Sequence, residues 1–193
     1  MRIPIRSILV AAAFAGLSAA TASAQMALPR TMTLGKESRI WVDGTSNVKS
    51  FSCNAGKMEV TVVAAPGANP SALVQTASLL IPVAAMDCKN ETMNGHMRKA
   101  LKAKDNPHIS WKMSSYTIEG SNVALSGKLT IAGKENPLEL RATGTVSDNG
   151  TIHVKGTKQF RMTEFGVKPP SLMFGTMKVG DPITVSFDLV LNN

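Results

Sequence analysis

Period-two alternation of apolar and polar residues runs through most of the second half of the chain, and it limits the fold more than any other feature. In Ile183, Val185, Phe187, Leu189 and Leu191 the apolar side chains fall on every second residue, with Thr184, Ser186 and Asp188 between them. Successive side chains of a strand point to opposite faces, so this pattern predicts a strand with one dry and one wet face. The same pattern recurs in Ile109, Trp111 and Met113, in Val123 to Ile131, in Leu138 to Val146, and in Ile152 and Val154. Asp148-Asn149-Gly150 lies between two such runs and predicts a hairpin with a type I′ turn, and Glu119 to Asn122 and Gly133 to Asn136 read as further turns. Strands are expected near 108–118, 122–132, 137–147, 150–162 and 182–191, with earlier ones near 38–43, 48–55 and 58–64. An all-β meander of about eight antiparallel strands removes its exposed edges by closing into a barrel.

One segment departs from this period. Between Asn90 and Lys102, Met93, Met97, Ala100 and Leu101 recur at three and four residues, with Lys99 and Lys102 near the end where they complement the helix dipole. This predicts one short helix at a barrel end. A weaker helical turn is expected at Pro70 to Gln75, and Pro169 to Gly180 reads as a loop.

The first 24 residues place the chain in a compartment. Arg2 and Arg6 precede an apolar run from Ile8 to Ala15, and Ala22-Ser23-Ala24 offers small residues for cleavage, the layout of a secretory signal peptide cut after Ala24. Residues 25–37 then read as a polar lead and 38–193 as the barrel. Of the 21 Lys and Arg residues two fall in the leader, and the remaining 19 against 13 acidic residues leave an excess of six positive charges. That excess favours transient contact with an anionic membrane surface. Nucleic acid is not expected as a partner, because the lysines are scattered and the chain has only six Phe, two Trp and one Tyr. Cys53 and Cys88 are expected to pair, since an oxidising compartment preserves disulfides and the pair lacks the C-x-x-C spacing of redox or zinc sites.

Catalytic chemistry finds little support. His96, His108 and His153 stand in no nucleophile or metal motif, and there is no Gly-x-Ser-x-Gly elbow, phosphate loop or H-E-x-x-H pair. No enzyme activity and no cofactor are expected. Met93, His96 and Met97 could offer two thioethers and an imidazole to Cu(I), which leaves a copper- or haem-associated accessory protein as the second reading. The same methionines suit packing at a barrel mouth, where their flexible side chains adapt to an apolar ligand.

Three stretches resemble the YceI-like proteins: Ile40 through Gly44-Thr45-Ser46-Asn47-Val48-Lys49-Ser50-Phe51; the helix Met93 to Leu101 followed by Asn106-Pro107-His108-Ile109-Ser110-Trp111; and Gly127-Lys128-Leu129-Thr130-Ile131. Phe160 to Gly166, and Val179-Gly180-Asp181 leading into Ile183, Val185 and Phe187, extend the likeness from about Ser38 to Leu191. The resemblance implies a lipocalin-like extended barrel in the bacterial periplasm, without catalytic residues. It also implies binding of a polyisoprenoid, an isoprenoid quinone or a similar long-chain lipid.

Strand parity and the helix face name the side chains expected to line such a cavity: Met93, Met97, Leu101, Trp111, Met113, Leu129, Phe160, Met162, Phe165 and Phe187. Gly127, Ala142 and Gly144 are expected to free volume on the inner face. A barrel of eight strands is just wide enough either to fill with side chains or to hold one slender ligand.

Overall fold

The computed structural model describes residues 30–64, 74–172 and 176–192, so the expected leader lies outside the described residues. In chain order the strands are β1 (Arg30–Leu34), β2 (Arg39–Ser46), β3 (Ser50–Ala55), β4 (Glu59–Ala64), β5 (Val74–Pro82), β6 (Met86–Asp87), β7 (His108–Glu119), β8 (Asn122–Ile131), β9 (Lys134–Val146), β10 (Ile152–Arg161), β11 (Ser171–Leu172) and β12 (Met177–Asn192). One α-helix, α1 (Glu91–Ala100), and 3-10 turns at Val83–Ala85 and Met162–Phe165 complete them.

Strands β1, β4, β5, β7, β8, β9, β10 and β12 pair antiparallel in that order, and β12 pairs back onto β1 through Thr33–Asn192 and Leu34–Leu191. The result is a closed eight-stranded barrel. Strand β12 is 16 residues long and outruns β1, so the rest of its edge is taken by β2, which is followed by β3 and β6.

The ring has the expected number of strands but a different membership. Strands β2 and β3 hang from β12, and their places are taken by β1, inside the expected polar lead, and by β5, where Val74 and Gln75 are strand and not a helical turn. Residues 70–73 of that turn lie outside the described residues. Strand β1 hides because three of its five residues are Arg or Thr, yet Met32 is only 2% exposed. Strand β5 hides because Leu79-Leu80-Ile81 interrupts the alternation. The segment 169–180 is likewise not all loop, since β11 pairs with the first residues of β12 through Ser171–Lys178.

The turns also differ from expectation. At Asp148-Asn149-Gly150 only Gly150 has a positive φ, 83°, and its N–H donates to the Ser147 carbonyl at 2.8 Å, so the hairpin forms without the type I′ turn. The turn with positive φ at both central positions is Ala132-Gly133, at 50° and 82°, between Ile131 and Lys134, one residue pair earlier than expected.

Strands β9 and β10 pair only from Val146–Ile152 to Ala142–Gly156 and then separate. Pro137 sits beyond that point, where β9 has β8 alone as neighbour and a missing N–H costs no ladder bond. The gap is filled by Leu138, Phe160, Phe165 and Val167, all buried, with the two Phe rings edge to face at 5.2 Å. Asp181 anchors this plug by accepting from the Thr163 N–H at 2.9 Å and the Thr163 hydroxyl at 2.7 Å. Those bonds, the hydroxyl first, hold its carboxyl below the ordinary value.

Candidate functional site

A cavity of about 970 Å³ occupies the barrel. At one end it is bounded by the β2–β3 turn and α1, through Lys49, Asn90 and Thr92, and at the other by the β7–β8 and β9–β10 hairpins, through Gly120 and Val146. On β7 its wall runs from Ile109 to Ile118. That is a strand path of about 30 Å, or about 23 Å along the axis at the usual tilt. The volume lies at the upper end of the range for small-molecule sites, about 300–1,000 Å³.

All ten sequence-predicted side chains, Met93, Met97, Leu101, Trp111, Met113, Leu129, Phe160, Met162, Phe165 and Phe187, lie on this wall. The pattern could not reveal the contribution of the disguised strand β5, which adds Ala77, Leu79 and Ile81. Lys158 was legible but missed: it is two residues before inward-facing Phe160, so parity alone places it on the inner face.

The inner-face glycines do not stand as bare open space. A Cβ on Gly127 would lie 2.6 Å from Trp111 Nε1, and one on Gly144 would lie 2.9 Å from Val123 Cγ2, so neighbouring side chains already fill those places. Three aromatic rings lie against inward glycines, Gly127 among them. Phe51 covers Gly44, Trp111 covers Gly127, and Phe187 covers Gly156, where an added Cβ would meet Phe187 Cζ at 2.5 Å. A ring that packs against bare backbone takes less of the lumen than one held off by a Cβ.

The helix closes its end of the cavity because three features fix it. Asn90 caps it by accepting from the Met93 N–H at 2.9 Å. Asn94, 2% exposed, accepts from the Cys88 N–H at 2.8 Å and donates to the Asp87 carboxylate at 3.0 Å, a bond that holds the Asp87 carboxyl below its ordinary pKa. The Cys53–Cys88 disulfide is formed and ties the start of the helical segment to β3. Met97 packs its sulfur 3.8 Å from Cys88 Sγ, and with Leu101 it meets Ile40, Ile81 and Met86.

Met93, His96 and Met97 all reach the wall, but among the described residues no three His, Cys, Asp or Glu side chains are grouped to hold a metal ion. Among the described residues His96 is the sole histidine on the wall, and no Asp or Glu faces the cavity.

The YceI-like domain model matches residues 33–191. The chain belongs to the YceI-like family. Several solved structures share the fold. BcnA of Burkholderia cenocepacia is 23% identical with a TM-score of 0.65, over 79% of this chain and 95% of that one. The Campylobacter jejuni YCEI protein is 19% identical with a TM-score of 0.60, over 73% and 84%. A polyisoprenoid binding domain from Saccharophagus degradans is 11% identical with a TM-score of 0.63, over 84% and 97%. No curated protein matches the chain. The YceI-like match begins within β1, in agreement with the part that strand takes in closing the barrel.

Proposed function

We propose that the protein binds and carries a long-chain apolar lipid, a polyisoprenoid, isoprenoid quinone or similar chain, in the cavity of the barrel. The observation that carries this reading is an elongated cavity walled almost wholly by aliphatic, methionine and aromatic side chains. Each buried methylene contributes about 0.8 kcal/mol, and a long chain in such a lumen is held by many of them, offset by the ordering of the chain and by its affinity for membrane. Membership of the YceI-like family supports the reading, as does the likeness to a domain described as binding polyisoprenoid. The leader and the disulfide support export to the periplasm, where an excess of positive charge brings the barrel to anionic membrane surfaces from which lipid is collected.

The test is a titration with a fluorescent long-chain polyene, in the wild type and in Ala77→Trp. Ala77 faces the cavity midway along β5, between the core clusters at the two ends. The expected result is saturable binding by the wild type and its loss in the variant, with the β circular-dichroism spectrum kept in both. Equal binding by a folded Ala77→Trp variant refutes an internal site.

A further inference from the structure

Lys158 is misplaced for a barrel that carries only hydrocarbon. On β10 the side chains of Ile152, Val154, Lys158 and Phe160 all line the cavity. The register puts Lys158 opposite Val185 of β12, Val185 opposite Val42 of β2, and Val42 opposite Cys53 of β3. The row on one side is Gly156, Phe187 and Ile40, and that on the other is Phe160, Ile183, Gly44 and Phe51. A half-buried lysine has therefore been set into an apolar wall.

A charge in such surroundings is costly unless it is paired. Lys155, on the outer face of the same strand, has its carboxylate in Asp188 at 3.6 Å. Lys158 has none: its side chain enters no ion pair among the described residues, and no Asp or Glu side chain lines the cavity among them. The other lysine on the wall, Lys49 on the β2–β3 turn, bounds the same end of the lumen, as does the imidazole of His96 on α1. Among the described residues the far end of the wall, with Ile118, Val123 and Val146, carries no charged side chain. The lumen is thus polarised along its axis, positive toward the helix and neutral toward the hairpins.

We infer that the ligand is an amphiphile with an anionic head, a carboxylate or a phosphate monoester, whose head pairs with Lys158 while its tail runs toward the β7–β8 and β9–β10 hairpins. This rests on the cavity being a lipid site, and it adds the chemistry of the head and the direction of the chain. Lys49 stands at the rim, where it meets the head as it enters. A neutral lipid would leave the Lys158 ammonium in the lumen without a counter-charge. An anionic head supplies a charge-assisted hydrogen bond where the wall provides none.

The experiment compares three probes with the same long alkyl chain, a carboxylic acid, a phosphate monoester and the methyl ester of the acid, in low salt. Competition against a fluorescent polyene gives the affinity for the wild type, Lys158→Met, Lys158→Arg and Lys49→Met. The expected result is that the wild type prefers at least one of the two anions to the ester by about tenfold, the size of one hydrogen bond to a charged group. Lys158→Met should bind the ester as before and lose the preference, Lys158→Arg should keep it, and Lys49→Met should keep most of it. If the wild type binds all three alike, or if Lys158→Met leaves the preference intact, the assignment of the head is overturned. If none of the three binds, the lipid-carrier reading itself falls.

Discussion

Substituting Gly44 by Ala tests whether bare backbone beneath a ring is what keeps the lumen open. The three atoms nearest to a Cβ at this position all belong to Phe51, its Cζ and both Cε atoms, the latter at 2.9 Å, so the collision is with one side chain. Overpacking of this kind costs about 1–3 kcal/mol, and the relief of a strand glycine returns about 0.5–1 kcal/mol. The expected net loss is about 1–2 kcal/mol, with the ring driven from the wall into the cavity and lipid binding weakened. The partner variant is Phe51→Ala, in whose background the added methyl meets no ring and Gly44→Ala becomes neutral or mildly stabilising. Urea unfolding of the four proteins of this cycle should give a coupling of about 1–3 kcal/mol, well beyond the 0.3–0.5 kcal/mol scatter of independent sites. If Gly44→Ala costs the same with and without the Phe51 ring, the reasoning is refuted.

Reduction of the Cys53–Cys88 bond, which spans a sequence separation of 35, should lower stability by about 3–4 kcal/mol, read as a lower urea midpoint; an unchanged midpoint would contradict the role given to it. Asp181 has a lowered pKa in the folded protein, so its contribution to stability is full above the ordinary value of 3.8 and is lost as the pH falls through the lowered one. The urea midpoints of wild type and Asp181→Asn should therefore differ at neutral pH and converge in acid, and a gap that widens in acid would reverse the sign of the argument.

The late strands were legible because each buries one face against the lumen and wets the other, which writes the fold into the sequence at period two. Strand β1 was not, because only Met32 and Leu34 of its five residues pack inward and its stability comes from pairing with β4 and β12 across the chain. Tertiary pairing of that kind leaves little local trace. Strand parity places Trp111, Met113, Leu129, Phe160 and Phe187 on the inner face, and the same parity places Lys158 there, two residues before Phe160. The arrangement of rings on glycines needed coordinates. Gly44 and Phe51 are opposite each other across β2 and β3, a register that the alternation alone does not fix.

Native mass spectrometry of the protein, purified from the envelope of its own cells without detergent exchange, addresses the central claim most directly. The account predicts a mature chain beginning at Gln25, with the disulfide intact and one long-chain lipid bound, released on activation as an anion. A bare chain that also fails to take up lipid from added vesicles would contradict it.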